Sequence, residues 1–169
     1  MGRPDLKSPE PLRRSHVCDK FDCGSPPLND WLTRFAWTNQ KSGAARTYVV
    51  SRGRRVVAYY SLAFGSIEHA EASARVRRGL ARHPIPVMLL ARLTVDVREQ
   101  EQGIGKGMLK DSLVRTLQAS DIAGLRALIV HAKDAQAKAF YERFGFEPSP
   151  IDPFHLMVLL KDLQKTVTE

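Results

Sequence analysis

Apolar side chains recur three and four positions apart at Leu28, Trp31, Leu32 and Phe35, a spacing that gathers them on one stripe of a helix. That helix is expected to open near Pro27, whose missing N–H is harmless in a first turn, and to run to about Gln40. The pattern changes after Ser42-Gly43. Residues 47–50 form an extended run rich in β-branched and aromatic side chains, Arg52-Gly53-Arg54 a turn, and residues 56–63 a return strand, which together predict a hairpin. A short strand is also expected at residues 12–17. Residues 68–80, basic and alanine-containing, predict a helix with loops, ended by Pro84 and Pro86. Residues 87–97 then predict a long strand, with Leu89, Leu90, Leu93, Val95 and Val97 at its apolar positions. Met108, Leu109, Leu113 and Leu117 mark an amphipathic helix, followed by an apolar strand at residues 125–131. A second helix at residues 135–144 is closed by Gly145, and residues 154–160 give a last strand. A hairpin followed by strands that flank two helices predicts an α/β (α+β) fold, a mixed sheet with helices on its faces.

The 169 residues suit one domain, and a hydrophobic share of 43% supplies a core without metal or disulfide staples. The first eleven residues, with Pro4, Pro9 and Pro11, are expected to form a loose arm, residues 12–163 the folded domain and residues 164–169 a tail. No apolar run approaches the roughly 18 residues of a membrane span, and no apolar stretch follows the charged start. Neither a membrane segment nor a signal peptide is therefore expected. Cys18 and Cys23 are too few for a disulfide framework and stand near no histidine pair. Two reduced thiols in a cytoplasmic protein, with no metal site, are the expectation. Charge changes the picture more. Twenty-six basic residues against eighteen acidic ones leave a net charge of +8, which points to a polyanionic partner larger than one small ligand.

Chemistry concentrates where the long strand gives way to a helix, at Gln100-Glu101-Gln102-Gly103-Ile104-Gly105-Lys106. Gly103, Gly105 and Gly107 let a ligand approach the backbone, and the first helical turn leaves its N–H groups free as donors. The helix terminus carries partial positive charge and Lys106 a full one, so this junction suits pyrophosphate. The dinucleotide fingerprint does not fit: the turn lies past mid-chain, and the next strand ends Ile129-Val130-His131 without an acidic residue. A P-loop is excluded by the missing Gly-Lys-Ser/Thr.

Gln100-x-x-Gly103-x-Gly105 resembles the acyl-coenzyme A signature of the GNAT acetyltransferase superfamily. Downstream, Ala137-Lys138-Ala139-Phe140-Tyr141-Glu142-Arg143-Phe144-Gly145-Phe146 resembles the superfamily's closing helix, with its aromatic-Tyr-x-x-x-Gly-Phe ending. More narrowly, the chain is similar to the toxins of bacterial toxin–antitoxin modules that acetylate the amino group of aminoacyl-tRNA. The stretches that carry this are Phe21-Asp22-Cys23-Gly24, Leu28-Asn29-Asp30-Trp31-Leu32, Tyr59-Tyr60-Ser61-Leu62 and Leu90-Ala91-Arg92-Leu93-Thr94-Val95-Asp96. With the two motifs, the resemblance spans residues 18–160. It implies a single GNAT-type domain with a central, twisted, mixed but mostly antiparallel sheet and helices on both faces. It also implies acetyl-coenzyme A as co-substrate, a homodimer and a ribbon-helix-helix type antitoxin as partner.

On this resemblance a neutral primary amine attacks the thioester, and Tyr141 hydrogen-bonds the leaving thiolate; the alternative is a core tyrosine packed by Phe140 and Phe144. Main-chain groups of Val95 and Val97 would pair with pantetheine. Gln100 and the N–H groups of Gly103, Ile104, Gly105, Lys106 and Gly107 would hold the pyrophosphate, with Asp134 and Lys138 also at the cofactor. Two positions depart from the family pattern: Glu101 stands where glycine is common, and Asp134 where an asparagine often touches the pantetheine arm. Both departures imply weaker cofactor binding. His131 is read as structural rather than as a base. Arg92 leads the residues expected at RNA, with Arg75, Arg77, Arg78, Arg34 and Lys41, each of which also fits a solvated surface. Two other readings stand beside this one: a GNAT enzyme for small-molecule or protein amines, and a non-catalytic nucleic-acid-binding module.

Overall fold

A computed structural model describes residues 2–167. Along the chain run β1 (Glu10–Pro11), α1 (Pro26–Asp30), a π-helical turn (Trp31–Phe35), α2 (Ala36–Ser42), β2 (Arg46–Arg52) and β3 (Arg55–Ile67). A 3₁₀ turn (His69–Glu71), α3 (Ala74–Arg77), β4 (Ile85–Val95), a second 3₁₀ turn (Val97–Glu99) and α4 (Ile104–Ser120) follow. β5 (Ala127–His131), α5 (Ala135–Glu142), β6 (Glu147–Pro148), β7 (His155–Leu159) and α6 (Leu160–Val167) complete it. One seven-stranded sheet has the order β1-β2-β3-β4-β5-β7-β6. β1–β2, β2–β3, β5–β7 and β6–β7 are antiparallel, and β4–β5 is parallel, so the sheet is mixed and mostly antiparallel as expected. No helix among the described residues is long and apolar enough to cross a membrane.

The chain divides into two compact units, Met1–Ala63 with Ala91–Ser112, and Phe64–Leu90 with Leu113–Glu169. In the first, β3 is buried almost continuously from Val56 to Leu62, as a central strand covered on both faces should be. The stripe expected from Leu28 to Phe35 packs onto this region: Leu32, Ala36, Phe21 and Leu12 join Val49, Val56 and Tyr59, with Leu28, Trp31 and Trp37 against them. The helix runs to Ser42, but with the π turn in its middle, and Phe35 is left half-exposed at that turn.

Two expectations for this unit fail. The strand at residues 12–17 does not form, because the His16 ring accepts the Arg13 N–H at 2.8 Å and pairs with Glu10 at 2.9 Å, closing a turn. At its two ends the segment still meets neighbours: Leu12 N–H donates to the Thr47 carbonyl at 2.8 Å, and Val17 forms an isolated bridge to Arg55. The loose arm is instead tied down. Lys7 N–H donates to the Ser51 carbonyl at 2.9 Å, Arg52 donates to the Pro4 carbonyl at 2.8 Å, and Glu10 and Pro11 pair with Val49 and Tyr48. Met1 lies outside the described residues.

In the second unit Ala72, Val76, Ile85, Val87, Ala127, Ile129 and Met157 form the core. The single helix expected over residues 68–80 is split. A capping box between Glu68 and Glu71 closes the 3₁₀ turn, Ala72 is extended, and the Ser73 hydroxyl starts α3 by accepting the Val76 N–H. The tail expected from residue 164 belongs to α6, which extends to Val167; residues 168–169 lie outside the described residues.

Candidate functional site

The end of β4 in the first unit is folded into a compact knot. Asp96 accepts the Arg98 N–H at 2.9 Å and the Asp22 N–H at 3.1 Å, while Val97 N–H donates to the Asp22 carbonyl at 2.8 Å. Asn29 completes the knot by accepting the Cys23 N–H at 2.9 Å and donating to Asp22 at 3.1 Å. The stretches at residues 21–24 and 28–30 therefore serve one purpose, to clamp the strand end from which the loop departs. Burial raises the Asp96 carboxyl, but hydrogen bonds from the Arg98 side chain and two backbone N–H groups outweigh it and hold the group below its ordinary value.

The loop then turns back on the strand, with Gln100 Nε2 donating to the Val95 carbonyl at 3.0 Å. Glu101 has φ of 65° and Gly103 of 81°, both left-handed. Glycine takes that conformation freely, whereas another residue pays about 1–2 kcal/mol, which explains glycine's frequency at the position of Glu101 in the resembling family. The Glu101 side chain is exposed, so its charge is screened from the loop. Two roles expected from sequence are narrowed. The Val97 N–H is committed to Asp22, and the Gly107 N–H to the Gly103 carbonyl at 3.0 Å, so neither is a free donor for a ligand. The N–H groups of Ile104, Gly105 and Lys106, in the first turn of α4, are the ones a helix leaves open.

Beneath the loop is a residue that motif reading missed. The Glu99 side chain is fully buried. It accepts from Arg52 Nε at 3.0 Å and Nη2 at 3.1 Å, from Arg3 Nη1 at 3.2 Å, from Arg55 Nη2 at 3.4 Å and from Gln102 Nε2 at 3.2 Å. Hydrogen bonding by Arg52, with further help from Arg3 and Gln102, holds its carboxyl below the ordinary range. Three arginines against one carboxylate leave the base of the loop positive, which favours an anionic ligand. No local spacing announces this cluster, since Arg3, Arg52 and Glu99 meet only through folding.

The pairing of β4 with β5 runs from Val87 to Leu90 and no further, although β4 continues to Val95. Two residues on, Arg92 has φ of 62°, the one other non-glycine residue with positive φ among those described. Its guanidinium lies over the Trp31 ring, 4.1 Å from the centroid, and the side chain stays exposed. Arg34 and Lys41, also of this unit, are exposed.

In the second unit Asp134 caps α5, accepting the Ala137 N–H at 2.8 Å. Its acidic side chain thus has a helix-capping reason to be there. Lys138 lies over the Phe154 ring at 5.7 Å. Tyr141 is buried beside Phe140 and Phe146, with ring centroids at 5.2 and 5.5 Å, and its hydroxyl has no partner among the described residues. Burial pushes its phenol up to about 12, so it remains a donor. Of the basic cluster, Arg75 is paired with Asp162 at 2.6 Å, whereas Arg78 is exposed and Arg77 half-buried. Arg126, not singled out by sequence, ties this segment down through the Val76 and Arg78 carbonyls at 2.8 and 3.1 Å. His131 stacks on its cross-strand neighbour His155 at 3.8 Å, beside a pocket of about 190 Å³ shared with Glu71, Ser149 and Met157. Burial, then the neighbouring His155, lowers its pKa.

Residues 43–148, which take in the loop, Arg92 and α5, match the acetyltransferase (GNAT) domain family. The chain belongs to the GNAT acetyltransferases. Relatives of this GNAT acetyltransferase are similar over nearly their whole length. A "tRNA-acetylating toxin" of Mycobacterium tuberculosis (strain ATCC 25618 / H37Rv) is 48% identical over 159 residues, covering 93% of this chain and 95% of the relative. Among solved structures, AtaT complexed with acetyl-methionyl-tRNAfMet superposes with a TM-score of 0.88 at 26% identity, covering 96% of this chain and 99% of AtaT. A mutant AtaT toxin bound to the C-terminus of the antitoxin AtaR and acetyl-CoA gives 0.82 at 27% identity, with coverage of 98% and 99%.

Proposed function

We propose that this acetyltransferase moves the acetyl group of acetyl-coenzyme A onto the α-amino group of aminoacyl-tRNA, and so blocks translation as a toxin. The observation that carries the reading is the 48% identity, across almost the full chain, to a tRNA-acetylating toxin. The neutral amine attacks the thioester carbonyl and forms the C–N bond, the C–S bond breaks, and the proton that the nitrogen gives up balances the one the leaving thiolate takes up to become free coenzyme A. An α-amino group titrates near 8, and the adjacent ester lowers it further, so a fraction is already neutral at neutral pH without a strong protein base. Tyr141 is the catalytic residue of this reading: its unpartnered hydroxyl donates to the sulfur as charge develops there.

The open N–H groups of Ile104, Gly105 and Lys106, with Gly103 shaping the turn, hold the pyrophosphate. Gln100 braces the loop, and the Val95 main chain borders pantetheine. Lys138 adds positive charge for the cofactor, and Asp134 contributes through the α5 cap. Arg92, Arg34, Lys41, Arg77 and Arg78 face RNA; Arg75 does so less, because Asp162 neutralises it. The catalytic domain of this reading takes in β1 through α6. The enzyme acts in the cytoplasm as a homodimer and is restrained by a ribbon-helix-helix type antitoxin, in keeping with the similarity to the AtaT–AtaR complex.

The test is a comparison of kcat/KM on bulk charged tRNA with that on a polyamine and on a lysine-containing peptide. Acetylation confined to charged tRNA supports the reading. Turnover of the amines with none on tRNA would replace it with a small-molecule or protein acetyltransferase.

A further inference from the structure

Two conformational departures in the first unit converge on one pair of side chains. Arg92 leaves the strand conformation within β4, with φ of 62°, and its guanidinium lands over Trp31. Trp31 in turn opens the π turn and stacks on Tyr59, with centroids 6.0 Å apart and planes 12° from parallel. Tyr59 is itself fixed, its hydroxyl donating to the Leu28 carbonyl at 2.6 Å and its ring set edge-on to Phe21 at 5.4 Å. The result is a braced column whose outer member is an exposed guanidinium. An arginine that served only as surface charge would need neither a left-handed backbone nor an aromatic support. Strain of this kind gathers where a side chain must be held in one place. A cation–π contact engages the face of the guanidinium and leaves its edges free, and those edges carry the N–H fork that pairs with phosphate.

We propose that Trp31 is a positioning residue for the substrate, fixing the Arg92 guanidinium so that its free N–H edge meets a phosphate of the tRNA acceptor end. The proposal rests on the aminoacyl-tRNA reading above. It predicts that Trp31 acts on RNA affinity only through Arg92.

The test is a double-mutant cycle of Trp31→Leu and Arg92→Ala. It measures Kd for bulk charged tRNA across a salt series and KM for acetyl-coenzyme A. Trp31→Leu should weaken tRNA binding about two- to fivefold, the worth of an exposed cation–π contact. It should keep the wild-type salt slope, because the charge remains, and leave the KM for acetyl-coenzyme A unchanged. Arg92→Ala should lower the slope by roughly one phosphate contact, and adding Trp31→Leu to it should change nothing more. Trp31→Phe should restore most of the affinity. If the wild type binds charged tRNA but the two losses add, or if Trp31→Leu raises both constants together, the inference is overturned while the tRNA reading stands. A wild-type protein that does not bind charged tRNA overturns both.

Discussion

Tyr141 shows how one environment sets both the place and the chemistry of a residue. Packing between Phe140 and Phe146 excludes water from the ring, and the same exclusion pushes the phenol up to about 12. The hydroxyl therefore stays protonated over the working range. Tyr141→Phe should lower kcat by about 10²–10³ and leave the KM for acetyl-coenzyme A near wild type, the signature of an interaction made mainly in the transition state. A raised KM with kcat unchanged would assign the residue to binding instead. Glu99 is the opposite case, a charge retained in a buried place because guanidinium groups surround it. Glu99→Gln leaves three arginines uncompensated and should cost about 3 kcal/mol, a fall in Tm of roughly 6–12 °C. The folded Glu99 carboxyl is held below its unfolded value of about 4.3. Its stabilisation is thus complete above that pH and disappears as pH falls through the lower folded value. Thermal melts should show a constant gap between wild type and Glu99→Gln at pH 6–8, closing below about pH 4.

Elements with a strong period could be read from the chain, and those made by side-chain competition could not. The stripe through Met108, Leu109 and Leu113 gave α4 because its apolar spacing matches the buried face of that helix. The hairpin of β2 and β3 followed from its Gly53 turn, whose φ is 58°. By contrast, His16 cancelled a strand through its ring nitrogen, and the caps at Glu71 and Ser73 divided one expected helix. β6 is two residues long, too short to carry any period. The same division holds in the candidate site. The glycine-rich turn and Tyr141 have local signatures, whereas the Glu99 cluster and the Trp31–Arg92 stack join residues separated in sequence by dozens of positions. The loop itself offers an element-scale test at Glu101, where backbone strain and an acidic charge coincide. Glu101→Gly removes both; because the exposed charge is screened, acetyl-coenzyme A should bind within about twofold of wild type, and relief of the strain should keep Tm from falling. Calorimetric titration against the wild type checks this; weaker binding would mean that the Glu101 side chain assists the ligand.

At the scale of the whole molecule, the net charge of +8 narrows what the family assignment leaves open. A GNAT sheet accommodates acetyl transfer to many amines, so the fold leaves the acceptor open. The positive surface disfavours cationic small amines and favours a polyanion that carries its amine at one end. Neither composition nor motif spacing names the amino acid on the tRNA, because a side-chain pocket has no sequence period of its own. The most direct measurement is incubation of the purified protein with bulk charged tRNA and radiolabelled acetyl-coenzyme A, followed by mild base. Label that enters the RNA and is released together with the amino acid when the ester is hydrolysed is the predicted result. Label that stays with the RNA after deacylation, or that never enters it while acetyl-coenzyme A binding is intact, would contradict the account.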